Sequence, residues 1–182
     1  MKNLFNSLVL FSFLCVNAQD KIIQKNSKIS FESLILRSFQ DVKAVNDDVT
    51  VVLNTRTGEI ACLALIKGFR FEVALMEEHF NENYIESTKF PKAIFRGLIE
   101  NFVLSKVVLE EKKYILNGIL ELHGIKKEMN IIISIRKDVF NRININSNFF
   151  INNDDHKILV PDIVKNKISD KISVTLECAF NL

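Results

Sequence analysis

Three histidines, three cysteines and twenty-two acidic residues carry what chemistry this 182-residue chain can offer. His79 stands among Glu77, Glu78 and Glu82, a setting that favours a charged imidazole and would suit a pH-sensitive lid; the same pattern fits a solvated helix face. His123 precedes Gly124, where it can fix a tight turn by a local hydrogen bond or reach a ligand, and His156 follows Asp154-Asp155 in what reads as a solvated loop. Converging on an acid at a pocket mouth, these histidines could act on a bound molecule. Their wide separation favours structural roles instead, and no metal or cofactor is expected. G-x-S-x-G, G-x-x-x-x-G-K, G-x-G-x-x-G, H-E-x-x-H and C-x-x-C are all absent, and five glycines leave little material for phosphate-cradling loops. The expectation is a protein that is not an enzyme.

Cys15 falls within the apolar run Leu4–Val16, which lies behind a single charge at Lys2 and is too short to span a bilayer. Val16-Asn17-Ala18 then places small residues where a signal peptidase cuts, so residues 1–18 read as a secretory signal removed before Gln19, and residues 19–182 as one domain. Lipidation at Cys15 is the weaker reading, because bulky Leu14 occupies the position where that processing wants a small residue. The other two cysteines, Cys62 and Cys178, read as buried free thiols, with a disulfide left open. A formal net charge of +2, with Lys and Arg scattered between acids, gives no nucleic-acid footprint.

The elements that must position these groups are mostly strands. From Lys28 onward the chain shows about eight stretches of period-two alternation. Tyr114, Leu116, Gly118, Leu120 and Leu122 share one face, as do Met129, Ile131, Ile133 and Ile135, and Ile172, Val174, Leu176, Cys178 and Phe180. Turn residues at 54–58, 123–124 and 138–141 separate the runs. A meander of this length removes its own edges by closing into a barrel, although a sandwich fits the same pattern. Ala74 to Ile85 departs from it: Met76, Phe80 and Tyr84 lie four apart between glutamates, which predicts an amphipathic helix.

Small barrels are filled by their own side chains or enclose one ligand. Gly97, Gly118 and Ala64 on inward faces leave gaps beside large apolar walls, which would make a cavity; equally, glycines can serve strand curvature while neighbouring aromatics fill the space. Both readings stand at this level.

Several segments resemble the YceI-like family of lipocalin-like barrels: Asn54-Thr-Arg-Thr-Gly-Glu-Ile, Ile66-Lys-Gly-Phe-Arg-Phe, Leu75 to Glu86, Lys89-Phe-Pro-Lys-Ala-Ile-Phe-Arg-Gly and Leu120 to Glu128. The resemblance covers nearly all of residues 19–182. It implies an all-β, eight-stranded antiparallel barrel with one short helical insertion, exported to the periplasm and holding a long isoprenoid or other long-chain lipid in its interior. Carried onto this chain, the ligand contacts would be Phe95, Gly97, Tyr114, Leu116, Gly118 and Leu120, with Phe69, Phe71, Met76 and Phe80 lining or closing one end. No nucleic acid and no stable membrane insertion are implied, and a homodimer is left open. The competing expectation is a ligand-free barrel acting as an envelope stress or protein-interaction module. One departure concerns the first strand: Lys28-Ile-Ser-Phe-Glu-Ser33 lacks the histidine-serine pair that many members carry there, so any head-group contact by that histidine is absent.

Overall fold

The computed structural model describes residues 20–33, 42–160 and 169–182; the expected leader with its cleavage site, and Cys15, lie outside the described residues. Nine strands occupy them: β1 (Lys21–Ser33), β2 (Lys43–Asn54), β3 (Glu59–Leu65), β4 (Arg70–Phe71), β5 (Lys92–Ile99), β6 (Lys112–Leu122), β7 (Ile125–Lys137), β8 (Ile143–Asn152) and β9 (Lys171–Phe180). Eight of them pair with their chain neighbours, and β1 pairs with both β2 and β9, so the meander closes on itself. The result is an eight-stranded antiparallel barrel of lipocalin-like form. Strand β4 is an addition, its two residues lying opposite Ala44 and Val45 at the start of β2.

Alternation dictates which residues face inward, and register brings the inward rows together. Leu116 lies opposite Ile131 and Tyr114 opposite Ile133 across β6 and β7, while Ile145 meets Cys178 across β8 and β9. A slip of one residue would turn every one of these side chains to water. The turns pin that register. His123 and Gly124 have φ of 51° and 73°, the left-handed pair that a two-residue hairpin needs. At the β2–β3 turn the Asn54 side-chain oxygen accepts the N–H groups of Arg56 and Thr57 at 3.0 and 3.2 Å. Asp138 does the same for Phe140 and Arg142 at 2.9 and 3.0 Å.

Strand β1 begins at Lys21, earlier than the alternation suggests. Register shifts on either side of Ser27, with Asn26 in the left-handed region, interrupt the period and hide the strand's first half. The helix expected over residues 74–85 divides into α1 (Ala74–His79) and a π-helical turn (Phe80–Tyr84), in which Ile85 donates its N–H to the Phe80 carbonyl at 3.0 Å.

The interior has two unlike halves. Toward one end Leu53, Ile99, Ile135, Ile143, Ile145 and Phe180 are buried and packed against one another. Toward the other, where β3, β6 and β8 end and β5, β7 and β9 begin, the inward rows diverge around open space, and the helical segment lies across that end.

Candidate ligand-binding site

The open half holds a cavity of about 590 Å³, within the range typical of ligand pockets. Its wall is almost wholly apolar. Strands β3 and β5 contribute Ala64 and Ala93, which lie directly opposite each other and leave the wall thin on that side. Ile60, Leu116, Ile131 and Leu176 mark its deep limit, and Ser33, His79, Tyr84 and Asn153 supply polar groups at the helical end.

Four phenylalanines fasten the helical segment to the barrel. The Phe31 ring of β1 lies 5.2 Å from Phe69, 5.7 Å from Phe71 and 5.4 Å from Phe80, and Phe80 lies 5.1 Å from Phe71. Such offset and edge contacts add to plain area burial. All four rings line the cavity as well. Arg70 pairs with Glu77 at 3.0 Å, and the other Glu77 oxygen accepts the Phe71 N–H at 3.2 Å, tying α1 to β4.

Of the ten residues expected to touch a ligand, Phe69, Phe71, Met76, Phe80, Phe95, Leu116 and Leu120 line the cavity. Gly97, Tyr114 and Gly118 do not. Gly97 and Gly118 face each other across β5 and β6, where the backbones approach so closely that a Cβ on Gly118 would stand 2.5 Å from the Arg96 carbonyl oxygen. The Phe95 ring covers Gly118, so the missing side chain makes room for a neighbour and adds nothing to the cavity. Tyr114 lies one inward position past Leu116, beyond the deep limit, and packs on the filled core. Alternation identified Ala64 as a gap and Ile172, Val174 and Leu176 of β9 as one face; that Phe31, Ala93 and this β9 row border the cavity had no signal until their register was known.

Two histidines do converge, beside the cavity and not within it. The His123 ring is within hydrogen-bond distance of Glu86 through Nε2 and of the His156 carbonyl through Nδ1, both at 3.0 Å. It also packs edge-on against Phe90 at 4.4 Å. The contacts expected to be local thus join three segments: the chain after the π-helical turn, the β6–β7 hairpin and the 153–158 turn. The bond from His123, helped by Lys89, holds the Glu86 carboxyl below its usual value. His156 is buried, its ring reaching the Leu122 carbonyl at 3.3 Å; burial depresses its pKa. Asp155 pairs with Lys127 at 2.9 Å. Among the described residues no three His, Cys, Asp or Glu side chains gather as a metal site. No described helix is long and apolar enough to cross a membrane.

Cys62 and Cys178 are both free and buried. Burial, reinforced by the neighbouring Cys178, pushes the Cys62 thiol up to about 12. Cys178 rises to about 11 through burial, against the opposing hydrogen bond from Ser27. Both thiols are thereby held in the neutral form near neutral pH.

A closed antiparallel barrel with a lidded apolar interior defines a lipocalin-like β-barrel of the cavity-bearing kind. The chain belongs to the YceI-like family, whose domain matches residues 21–180. Similar solved structures include a polyisoprenoid binding domain from Saccharophagus degradans implicated in plant cell wall breakdown, with a TM-score of 0.76 and 13% identity over 90% of this chain and 99% of that one. BcnA of Burkholderia cenocepacia gives 0.69 and 10% over 86% and 96%, and the Campylobacter jejuni YceI protein 0.63 and 17% over 82% and 90%. At these identities the likeness is one of fold. No curated protein sequence matches the chain significantly.

Proposed function

We propose that the protein is an exported, non-enzymatic carrier or buffer for a long-chain lipid of isoprenoid or similar type, held inside the barrel in the periplasm. The observation that carries this reading is the cavity: about 590 Å³ of apolar space that the chain's own side chains leave unfilled. A barrel serving only as an interaction module has no need of it. Each methylene moved from water into such a space contributes about 0.8 kcal/mol, so affinity needs shape and apolar walls more than polar chemistry. The polar lining residues gather at the helical end, so the lipid's head stays there while its tail runs toward Leu116 and Leu176. The leader at residues 1–18 and the binding described for the Saccharophagus domain support export and an isoprenoid tail respectively.

The test is to purify the protein from its native envelope, extract it with organic solvent and analyse the extract by mass spectrometry. A stoichiometric long-chain lipid supports carriage and names the ligand. A clean extract that stays clean after isoprenoid lipids are offered overturns the reading.

A further inference from the structure

The lipid reading sets no limit on how long a chain the barrel takes, but the packed half of the interior does. From Leu122 to Leu116 along β6 is about 20 Å of strand, or about 15 Å along the axis once a strand tilt of roughly 40° is allowed for. At and beyond Leu116 the interior is closed: Val51, opposite Cys62, Ile99, opposite Leu116, and Ile133 and Ile145 are between 0% and 1% exposed. None of these four lines the cavity. The space therefore ends in a floor made by Ile60, Leu116, Ile131 and Leu176, and it does not run the length of the barrel.

Volume sets the number of carbons. At roughly 30 Å³ for a group the size of a water or methylene, 590 Å³ accommodates about twenty such groups. A diacyl lipid or a long polyprenyl chain exceeds that number. We infer that this barrel selects a single-chain lipid of at most about twenty carbons, with Leu116 and Ile131 at the floor as the residues that set the cut-off. The inference rests on the reading that the barrel holds a lipid.

Affinity then rises with chain length only while added carbons find space. Each buried methylene raises affinity about fourfold, the equivalent of about 0.8 kcal/mol. Past the limit further carbons must remain outside, and the gain stops.

The experiment uses delipidated protein and a series of isoprenoid alcohols of ten, fifteen, twenty, thirty and forty carbons, delivered from cyclodextrin and read by native mass spectrometry and by displacement of a fluorescent fatty probe. The expected result is steep gain up to the twenty-carbon alcohol and none beyond it. Leu116→Ala, which opens the floor by about three carbons, moves the plateau toward longer chains; Ile131→Val, a one-methyl change, gives a smaller shift of the same sign if Leu116→Ala fails to fold. Affinity that keeps rising to forty carbons, or a plateau unmoved in both folded floor variants, overturns the length limit and leaves lipid binding intact. Failure of every length to bind overturns the lipid reading, and the length limit with it.

Discussion

Replacing Ala64 with phenylalanine should strengthen the fold and weaken ligand binding at once. Ala64 is 2% exposed, lies opposite Ala93, and faces the cavity with a methyl group where other strands present larger side chains. Phenylalanine adds six ring carbons, which enter space that is empty, so the usual penalty for overpacking a filled core does not apply. Burying the ring contributes about 2 kcal/mol, equivalent to a melting temperature higher by roughly 4–8 °C for a chain of this size. The same ring removes about six of the roughly twenty carbon-sized places available to a lipid. At about 0.8 kcal/mol each that is a loss of about 5 kcal/mol, falling to about 3 kcal/mol if the lipid and wall adjust, which is at least a hundredfold in affinity for a twenty-carbon alcohol. Both quantities must be measured on delipidated protein, because a bound lipid raises the melting temperature of the wild type by mass action. Circular dichroism melting and titration by native mass spectrometry suffice. A variant that melts several degrees lower shows that Ala64 does not face open space. One that melts higher and binds undiminished shows that the ligand sits elsewhere. Either result refutes the reasoning.

Gly118→Ala should destabilise the barrel by more than 1 kcal/mol, seen as a lower urea midpoint, because its Cβ would press on the Arg96 carbonyl and the Phe95 ring. Cys62 should resist Ellman's reagent at pH 8, where a thiol of pKa about 12 is ionised in about one molecule in ten thousand, and should react fully in denaturant. Acidification should loosen the Glu86–His123–His156 junction in two steps. His156 has a folded pKa depressed below 6.5, so its contribution is complete above 6.5 and is lost as pH falls through the folded value; Glu86, depressed below 4.5, behaves likewise at lower pH. Melting temperature should therefore fall from pH 7 to 5, and fall less in His156→Gln measured against its own value at pH 7.

The strands were legible because alternation in β6, β7 and β9 runs unbroken, and a half-buried strand has no other way to sort Ile131 from Asn130. The first half of β1 was not, because bulges around Ser27 destroy the period that announces a strand. Inward orientation is likewise a local property, whereas emptiness is not. Leu116 and Ile133 are the same kind of residue on the same kind of face, yet one borders the cavity and the other lies in the filled core. The alignment of Ala64 with Ala93 depends on the β3–β5 register, across a helical excursion, and no spacing within either strand reports it. The glycines could be read either way. A missing side chain reads as space, but at Gly97 and Gly118 the backbones close in and the Phe95 ring takes what remains.

The division of the interior follows from what a cavity costs. Excavated cavities in filled cores destabilise by about 24 cal/mol per Å³, so an empty space of 590 Å³ represents on the order of 10 kcal/mol of packing forgone, comparable to the whole stability of a typical domain. A barrel hollow from end to end would forgo about twice that. Confining the space to one half leaves Leu53, Ile99, Ile135, Ile143, Ile145 and Phe180 to hold the strands in register without a ligand, and hydrogen-bonded closure between β1 and β2 to hold the wall around the rest. The phenylalanine cluster and the Glu86–His123 contact then fasten the helical segment at the cavity end, away from the layer of Ile99, Ile135 and Ile145 that fills the other half.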